Sequence, residues 1–307
     1  MKGGDGVYAS LEQLLALRAQ AANFSLRPKT PLNTVFAGKH NALARGRGFN
    51  FEELRHYRVG DDIRSLDWKV THRTRKPHVR VHTEDRERNI LLLVDQRSSM
   101  FFGSQKMKAV AALELAALTA WKGLSSSDRV GAIVFNDTEL APFKPTRNVD
   151  AVSDMLGRAV ALNHQLSAQA ANPHGQNLAA VVSAAQQQCH HSCLVVLISD
   201  LAGLGAAAQR GLQQLSQRND VIIGAVQDAL ESALPSTAAG LSVRGGDQLL
   251  PLRPLSRAKL AGFFQQRQAR RERLFQDFAQ FGIAVVGVDA AQPVAQQFLQ
   301  GHAGEVL

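Results

Sequence analysis

Two aspartates stand where a protein could use them chemically. Asp95 closes the apolar run Ile90-Leu91-Leu92-Leu93-Val94, and Asp200 follows Leu194-Val195-Val196-Leu197-Ile198 and Ser199. A rigid strand fixes where a carboxylate at its end points, and convergent hard oxygen ligands suit Mg2+ or Mn2+. The same position also serves a plainer purpose, because a strand-end aspartate can cap the turn or helix that follows. Cys189-His190-His191-Ser192-Cys193 holds four possible zinc ligands. A tetrahedral site needs a longer loop or a second chelating segment, so these residues read as a helix-end His pair with buried thiols.

A second concentration of chemistry lies upstream. Arg55, Arg64 and Arg73 alternate with Glu52, Glu53, Asp61, Asp62 and Asp67. Guanidinium–carboxylate forks have fixed geometry, so this stretch is either a structural lock or a partner site. Gly60-Asp61-Asp62 is turn chemistry, and Tyr57 and Trp68 are the expected apolar anchors. Arg267, Arg270, Arg271 and Arg273, with Glu272 among them, read as the solvated face of a long helix. Neither a Gly-x-x-x-x-Gly-Lys-Ser/Thr loop nor a dinucleotide Gly-x-Gly-x-x-Gly fingerprint occurs, which argues against a nucleotide-hydrolysing chain. A Gly-x-Ser-x-Gly elbow is missing, and Ser199 has no identifiable His base.

The elements that must position these residues alternate. Strands are expected over residues 90–95, 129–135, 194–198, 221–226 and 283–288, and Asn136-Asp137 turns the second into an antiparallel neighbour over 138–143. Helical patterns cover residues 106–122, 149–162, 178–188, a stretch through Leu212, and about 255–281. The first of these carries only Glu114 as a charge between Lys108 and Lys122, so it must be buried on most faces. Residues 241–243 and 249–252 flank Gly245-Gly246-Asp247 as a hairpin insertion. Residues 78–82 alternate like a strand leading into the first sheet strand. Strands separated by helices make a Rossmann-like, doubly wound, mostly parallel α/β sheet, whose functional residues gather beyond the strands' carboxyl ends.

Composition narrows the function classes. At 307 residues and 45% hydrophobic, the chain can bury a proper core without disulfides, and two cysteines suit a reducing compartment. No segment approaches a membrane span, and residues 11–22 are interrupted by Glu12, Gln13, Arg18 and Gln20, so a signal peptide is not expected. The expected location is the cytoplasm. Residues 1–89 hold 17 Lys and Arg against 10 Asp and Glu, most of the net charge of +9. That basic N-terminal extension, residues 1–88, could attract nucleic acid or an acidic partner, or pair its charges internally.

The aspartates and their neighbours resemble a von Willebrand factor type A domain, here residues 89–307. That fold carries a metal-ion-dependent adhesion site of pattern Asp-x-Ser-x-Ser with a distant Thr and Asp. Asp95, Ser99 and Asp200 match it, whereas Arg97 and Gln176 replace two hydroxyl ligands. The resemblance therefore implies a degenerate site holding no metal or a weakly bound Mg2+. Arg97 then turns inward to pair with Asp95 or Asp200, or extends outward as a partner contact. Upstream, Gly48, Phe51, Leu54-Arg55, Tyr57, Gly60-Asp61-Asp62, Arg64, Asp67-Trp68 and Arg73 resemble the signature of the DUF58 family, and Asp228, Glu231 and Leu234-Pro235 fit its downstream pattern. The similarity runs from about residue 45 to 288. It implies a non-enzymatic adaptor or co-chaperone for a MoxR-type AAA+ ATPase and a client protein. Arg55, Tyr57, Asp61, Asp62, Arg64, Asp67, Trp68 and Arg97 are its partner-binding candidates, and membranes are reached only through partners. The alternatives are a nucleic-acid-binding protein using the basic region and a metal-assisted hydrolase at Asp95 and Asp200.

Overall fold

The structure of the protein, a computed structural model, describes residues 6–26, 53–57, 66, 68–81, 87–168, 178–231, 242–245, 248–251 and 257–298. In chain order the elements are α1 (Leu11–Ala16), β1 (Glu53–His56), α2 (Trp68–Thr74), β2 (His78–Val81), β3 (Asn89–Asp95), α3 (Lys108–Ser125), β4 (Arg129–Phe135), β5 (Leu140–Thr146) and α4 (Val149–Asn163). They continue with α5 (Leu178–Gln188), β6 (Leu194–Ser199), α6 (Ala206–Ser216), β7 (Asp220–Gln227), β8 (Ser242–Gly245), β9 (Gln248–Pro251), α7 (Arg257–Gln280), β10 (Ala284–Asp289) and α8 (Val294–Gln297). Contacts divide the chain into two compact units, residues 38–87 and residues 1–37 with 88–307.

The larger unit is built on a six-stranded sheet of order β10-β7-β6-β3-β4-β5, parallel except for β5. This is an α/β doubly wound fold, consistent with the Rossmann-like, type A architecture expected above. Period-two alternation sends the central strands' side chains to two cores. Ile90, Leu92, Val94, Val196 and Ile198 face α3, α4 and α1, whereas Leu91, Leu93, Val195 and Leu197 face α5, α6 and the end of α7. Both faces are covered, which is why these strands read as unbroken apolar runs rather than as alternation. α3 is buried along most of its length, as its composition requires.

The sheet's edge strand β5 contains Pro142 and Pro145, tolerable at an edge where a missing N–H breaks no central ladder. Its register with β4 shifts beside Gly131, where an added Cβ would lie 2.6 Å from the Phe143 carbonyl oxygen. The turn into β5 is fixed by Asn136, whose side-chain oxygen accepts from the Thr138 and Glu139 amides. The expected hairpin is present as β8 paired antiparallel with β9.

Residues 6–26 belong to the larger unit, which a division at residue 88 did not anticipate. Ser10 caps α1 with a reciprocal capping box through Gln13. Leu14, Ala21 and Phe24 then enter the core beside α3. Trp121 Nε1 donates to the Leu14 carbonyl at 2.9 Å, and the Arg18 guanidinium lies over the Trp121 ring. Phe24 and Phe298 meet with ring centroids 5.7 Å apart, and the Ser25 amide donates to the Phe298 carbonyl.

In the smaller unit β1 and β2 pair antiparallel, Glu53 opposite Val81 and His56 opposite His78. Tyr57 is half-buried, and its amide donates to the Pro77 carbonyl. Trp68, an anchor for either a structural lock or a partner, is 69% exposed at the start of α2. The ring is a surface group, because its seven-residue helix presents it to solvent. Of the other partner-binding candidates, Arg55 lies on β1. Asp61, Asp62, Arg64 and Asp67 fall outside the described residues.

Two substitutions separate these environments. Phe24→Ala is expected to cost about 3–5 kcal/mol as a buried aromatic truncation. Trp68→Ala, lacking burial, should change stability by no more than about 0.5 kcal/mol. Urea denaturation of the full chain measures both, and a large loss for Trp68→Ala would mean that its ring is covered.

Candidate functional site

β3 and β6 are parallel neighbours in register from Ile90 opposite Leu194 to Val94 opposite Ile198. From β3 the chain builds outward to β4 and β5, then crosses back to β6, so the topology reverses between these two strands. Such a reversal is the place where doubly wound sheets hold ligands, beyond the strands' carboxyl ends. Asp95 ends β3, Ser199 ends β6, and Asp200 opens the loop beyond it.

Asp95 is completely buried, and protein donors occupy both of its oxygens. Oδ1 accepts from the Arg97 amide and from Arg97 Nε, each at 3.0 Å. Oδ2 accepts from Arg97 Nη2 and from the Ser199 hydroxyl, each at 2.6 Å. The Arg97 guanidinium is thus turned inward and forked onto the carboxylate, only 8% of the residue remaining exposed. Its Nη2 also donates to the Ala202 carbonyl at 3.1 Å, and its guanidinium carbon lies 5.8 Å from the Phe135 ring centre. Burial pushes the Asp95 carboxyl up, and the Asp200 charge adds to this, while Arg97 and Ser199 pull it down. Burial would lower Arg97, yet Asp95 first and then Asp200 and Asp137 hold its proton more firmly than usual.

Asp200 has its own cation. Lys108, the first residue of α3, is 2% exposed and donates to Asp200 Oδ2 and Glu231 Oε1, each at 2.7 Å. Glu231 is also ion-paired with Arg267 on α7, N to O 3.1 Å. Asp200 Oδ1 takes the Ser99 hydroxyl at 3.3 Å and the Ala202 amide at 2.9 Å. Burial would raise Asp200, but Lys108, the Ala202 amide and Arg97 together hold it below the usual carboxylate range. Lys108 is likewise held above its ordinary value, burial being outweighed by Asp200 and Glu231.

The loops are pinned to serve this arrangement. Leu201 and Gly203 take left-handed backbone, with φ of 60° and 69°, which turns the Ala202 carbonyl onto Arg97. Such a conformation is unfavourable for leucine and is held here by surrounding bonds. Asp137 accepts from the Ser98 amide at 2.8 Å. Buried Asp228 accepts from the Ser104 amide and hydroxyl, tying the loop before α3 to the turn that carries Glu231. Behind them, Gln96 donates to the Asp95 and Ala109 carbonyls and accepts from Asn163, whose oxygen takes the Ala9 amide.

The structure brings together Asp95, Arg97, Ser99 and Asp200; Gln176 lies outside the described residues. Sequence reasoning missed Lys108 and gave no site role to Ser199 or Glu231. The available signal for Lys108 was its place at the head of a helix too apolar to face water. Among the described residues, no group of three or more His, Cys, Asp or Glu is placed to hold a metal ion. Cys189 and Cys193 are buried free thiols while His190 and His191 are exposed, so those four groups do not converge. Burial and the neighbouring Cys193 push the Cys189 thiol up.

Two outcomes follow from the ion pairs. Lys108→Met leaves two buried carboxylates without their shared cation and should cost about 3–5 kcal/mol at neutral pH. Asp200, depressed when folded, contributes stability that is full above the unfolded carboxylate value and lost as pH falls through the folded one. Lys108, raised when folded, contributes until pH climbs past the ordinary lysine value. The gap between wild type and variant should therefore be widest between about pH 5 and 10 and shrink below about pH 4, measured by chemical denaturation across pH. Arg97→Ser removes the cation and restores a hydroxyl, so calorimetry should find Mg2+ binding in the variant and negligible affinity in wild type. Micromolar wild-type affinity would show that the guanidinium does not take the ion's place.

Comparison with known proteins gives this geometry relatives. The family model described as "Protein of unknown function DUF58" matches residues 53–245. Uncharacterized proteins of Mycobacterium bovis (Mb1516) and Mycobacterium tuberculosis (Rv1480) are each 30% identical over 220 residues, covering 71% of this chain and 68% of theirs. Among solved structures, the conserved hypothetical protein BatB of Bacteroides thetaiotaomicron aligns with 16% identity and a TM-score of 0.42, covering 68% of this chain and 96% of its own. An aerotolerance-related membrane protein of Bacteroides fragilis aligns with 17% identity and the same TM-score, covering 69% of this chain and 96% of its own. No helix among the described residues is long and apolar enough to cross a membrane. With the family model spanning more than half of its length and the mycobacterial relatives matching over two-thirds of theirs, the chain belongs to the DUF58 family.

Proposed function

We propose that this chain is a non-enzymatic binding module of the cytoplasm, an adaptor presenting a client protein to a MoxR-type AAA+ ATPase. The observation that carries the non-enzymatic part is the Arg97 guanidinium forked onto Asp95. A carboxylate whose oxygens are filled by a permanent cation and a hydroxyl is a poor general base and a poor metal ligand. Asp200 and Glu231 are engaged in the same way by Lys108. The Ser99 and Ser199 hydroxyls donate to carboxylates, with no imidazole among their partners to activate them. What remains at the strand ends is a rigid, ion-paired surface suited to recognition. The ATPase partner rests on the family resemblance.

The test is a pulldown from the source cells with the tagged full chain, combined with turnover assays on the purified protein. The expected result is co-purification of a MoxR-type ATPase and no hydrolysis of ATP or simple esters. Intrinsic turnover abolished by Asp200→Ala would replace this reading with a hydrolase. Absence of any ATPase from the bound fraction would remove the adaptor role.

A further inference from the structure

We propose that Arg267 and Arg271, at the α7 side of the site, receive a carboxylate from an acidic segment of a partner protein. The inference rests on reading this edge of the sheet as a binding face and names the chemistry of what binds there. Asp95 and Arg97 balance one another. Around Asp200 and Glu231, however, three cations gather. Lys108 bridges the two acids, Arg267 reaches Glu231 at 3.1 Å, and Arg271 lies one helical turn further along α7. Among the described residues, Arg271 is the one of these three without an ion pair.

Arg271 is the cation left over. It is half-buried, with its guanidinium carbon 5.2 Å from the centre of the Phe275 ring, and among the described residues no carboxylate lies within ion-pair distance of it. Burial weakens its hold on its proton and Arg267 weakens it further, more than Glu231 and Asp200, acting at a distance, restore. A partly desolvated guanidinium with free donors is a strong site for a forked carboxylate, stronger than an exposed one. The approach is open, because the Arg267 side chain is half-exposed and residues 265–270 are exposed around the whole helix. Phe275 and Phe278 hold the following turns in the core, so the donors are presented from a fixed support.

The surroundings select a protein segment over a nucleic acid. Glu231 and Asp200 lie close by and would repel an extended run of phosphates, while a single carboxylate can seat between the two guanidiniums. Phe102 is 38% exposed, and its ring centre lies 5.7 Å from the Lys108 ammonium, providing an apolar contact at the same site. An acidic residue accompanied by an apolar one matches this pairing.

Fluorescence anisotropy on the full chain tests it. The probes are a labelled peptide carrying one glutamate beside one phenylalanine in an otherwise uncharged sequence, its glutamine counterpart, and a single-stranded oligonucleotide as competitor. Wild type should bind the glutamate peptide in a salt-sensitive manner and ignore the glutamine one. Arg271→Gln should weaken binding by about tenfold. Arg273→Gln removes the same charge from an exposed position of the same helix and should change it by less than about twofold. Arg267→Gln, at a half-exposed position, supplies a second readout should Arg271→Gln fold poorly, and it should also weaken binding. Equal losses for Arg271→Gln and Arg273→Gln, failure of wild type to prefer the glutamate peptide, or stronger binding of the oligonucleotide would each overturn the proposal. If the ATPase co-purifies but the peptide does not bind, only the carboxylate assignment fails. Arg271-dependent peptide binding without any ATPase leaves that assignment standing and removes the adaptor reading.

Discussion

Asp95 sits at the end of the central strand with no access to water, and its surroundings are organised around that fact. A carboxylate stripped of solvent must be given both countercharge and hydrogen bonds, or ionisation becomes prohibitively expensive. Arg97 supplies the countercharge from only two residues away, its own backbone still extended before the turn over Ser98–Met100. The loop after β6 brings the Ala202 carbonyl to the guanidinium by placing Leu201 and Gly203 in left-handed backbone. A Cβ on Gly203 would lie at ordinary contact distance from Arg97 Nη1, so it is the left-handed φ, not space, that favours glycine there. An apolar pair of the same shape could stitch the two loops equally well. The ion pair differs by demanding one geometry, since each charge is satisfied only when both loops are in place.

Lys108 repeats the solution one strand over and extends its reach. By bridging Asp200 and Glu231 it joins the head of α3, the end of β6 and the turn after β7. Asp228 reinforces that junction by gripping Ser104. Displacement of any one of these segments would strand a buried charge, so the strand-end loops are expected to move together or not at all.

The fold was legible where burial is two-sided. The runs ending at Asp95 and Ser199 have no polar interruption, and only a central strand in a covered sheet tolerates that. The two aspartates were legible for the complementary reason, since they are the first charges after such runs. Arg97's direction was not, because it depends on the loop after β6, far away in sequence. Lys108 and Glu231 were harder still. A lysine beginning a helix and a glutamate in a short turn are ordinary solvated residues by local standards, and only the crossover between β3 and β6 brings them together. Residues 6–26 hid their role differently. Leu14, Ala21 and Phe24 are spaced for one buried face, but Glu12, Gln13, Arg18 and Gln20 between them obscure it. Trp68 could be read two ways, as a buried anchor or as a partner contact, since a large aromatic ring says nothing about what covers it.

The contact between Phe24 and Phe298 has a consequence for how this protein is made. The two rings come from near opposite ends of the chain, and the Ser25 amide bonds across the same junction. During synthesis Phe24 leaves the ribosome long before Phe298 exists, so the core beside α3 stays unsealed until the chain has been made past that residue. Such distant closure is entropically costly and slow. Until then the nascent chain presents Phe24 and the apolar flank of α3 to whatever chaperones attend the ribosome.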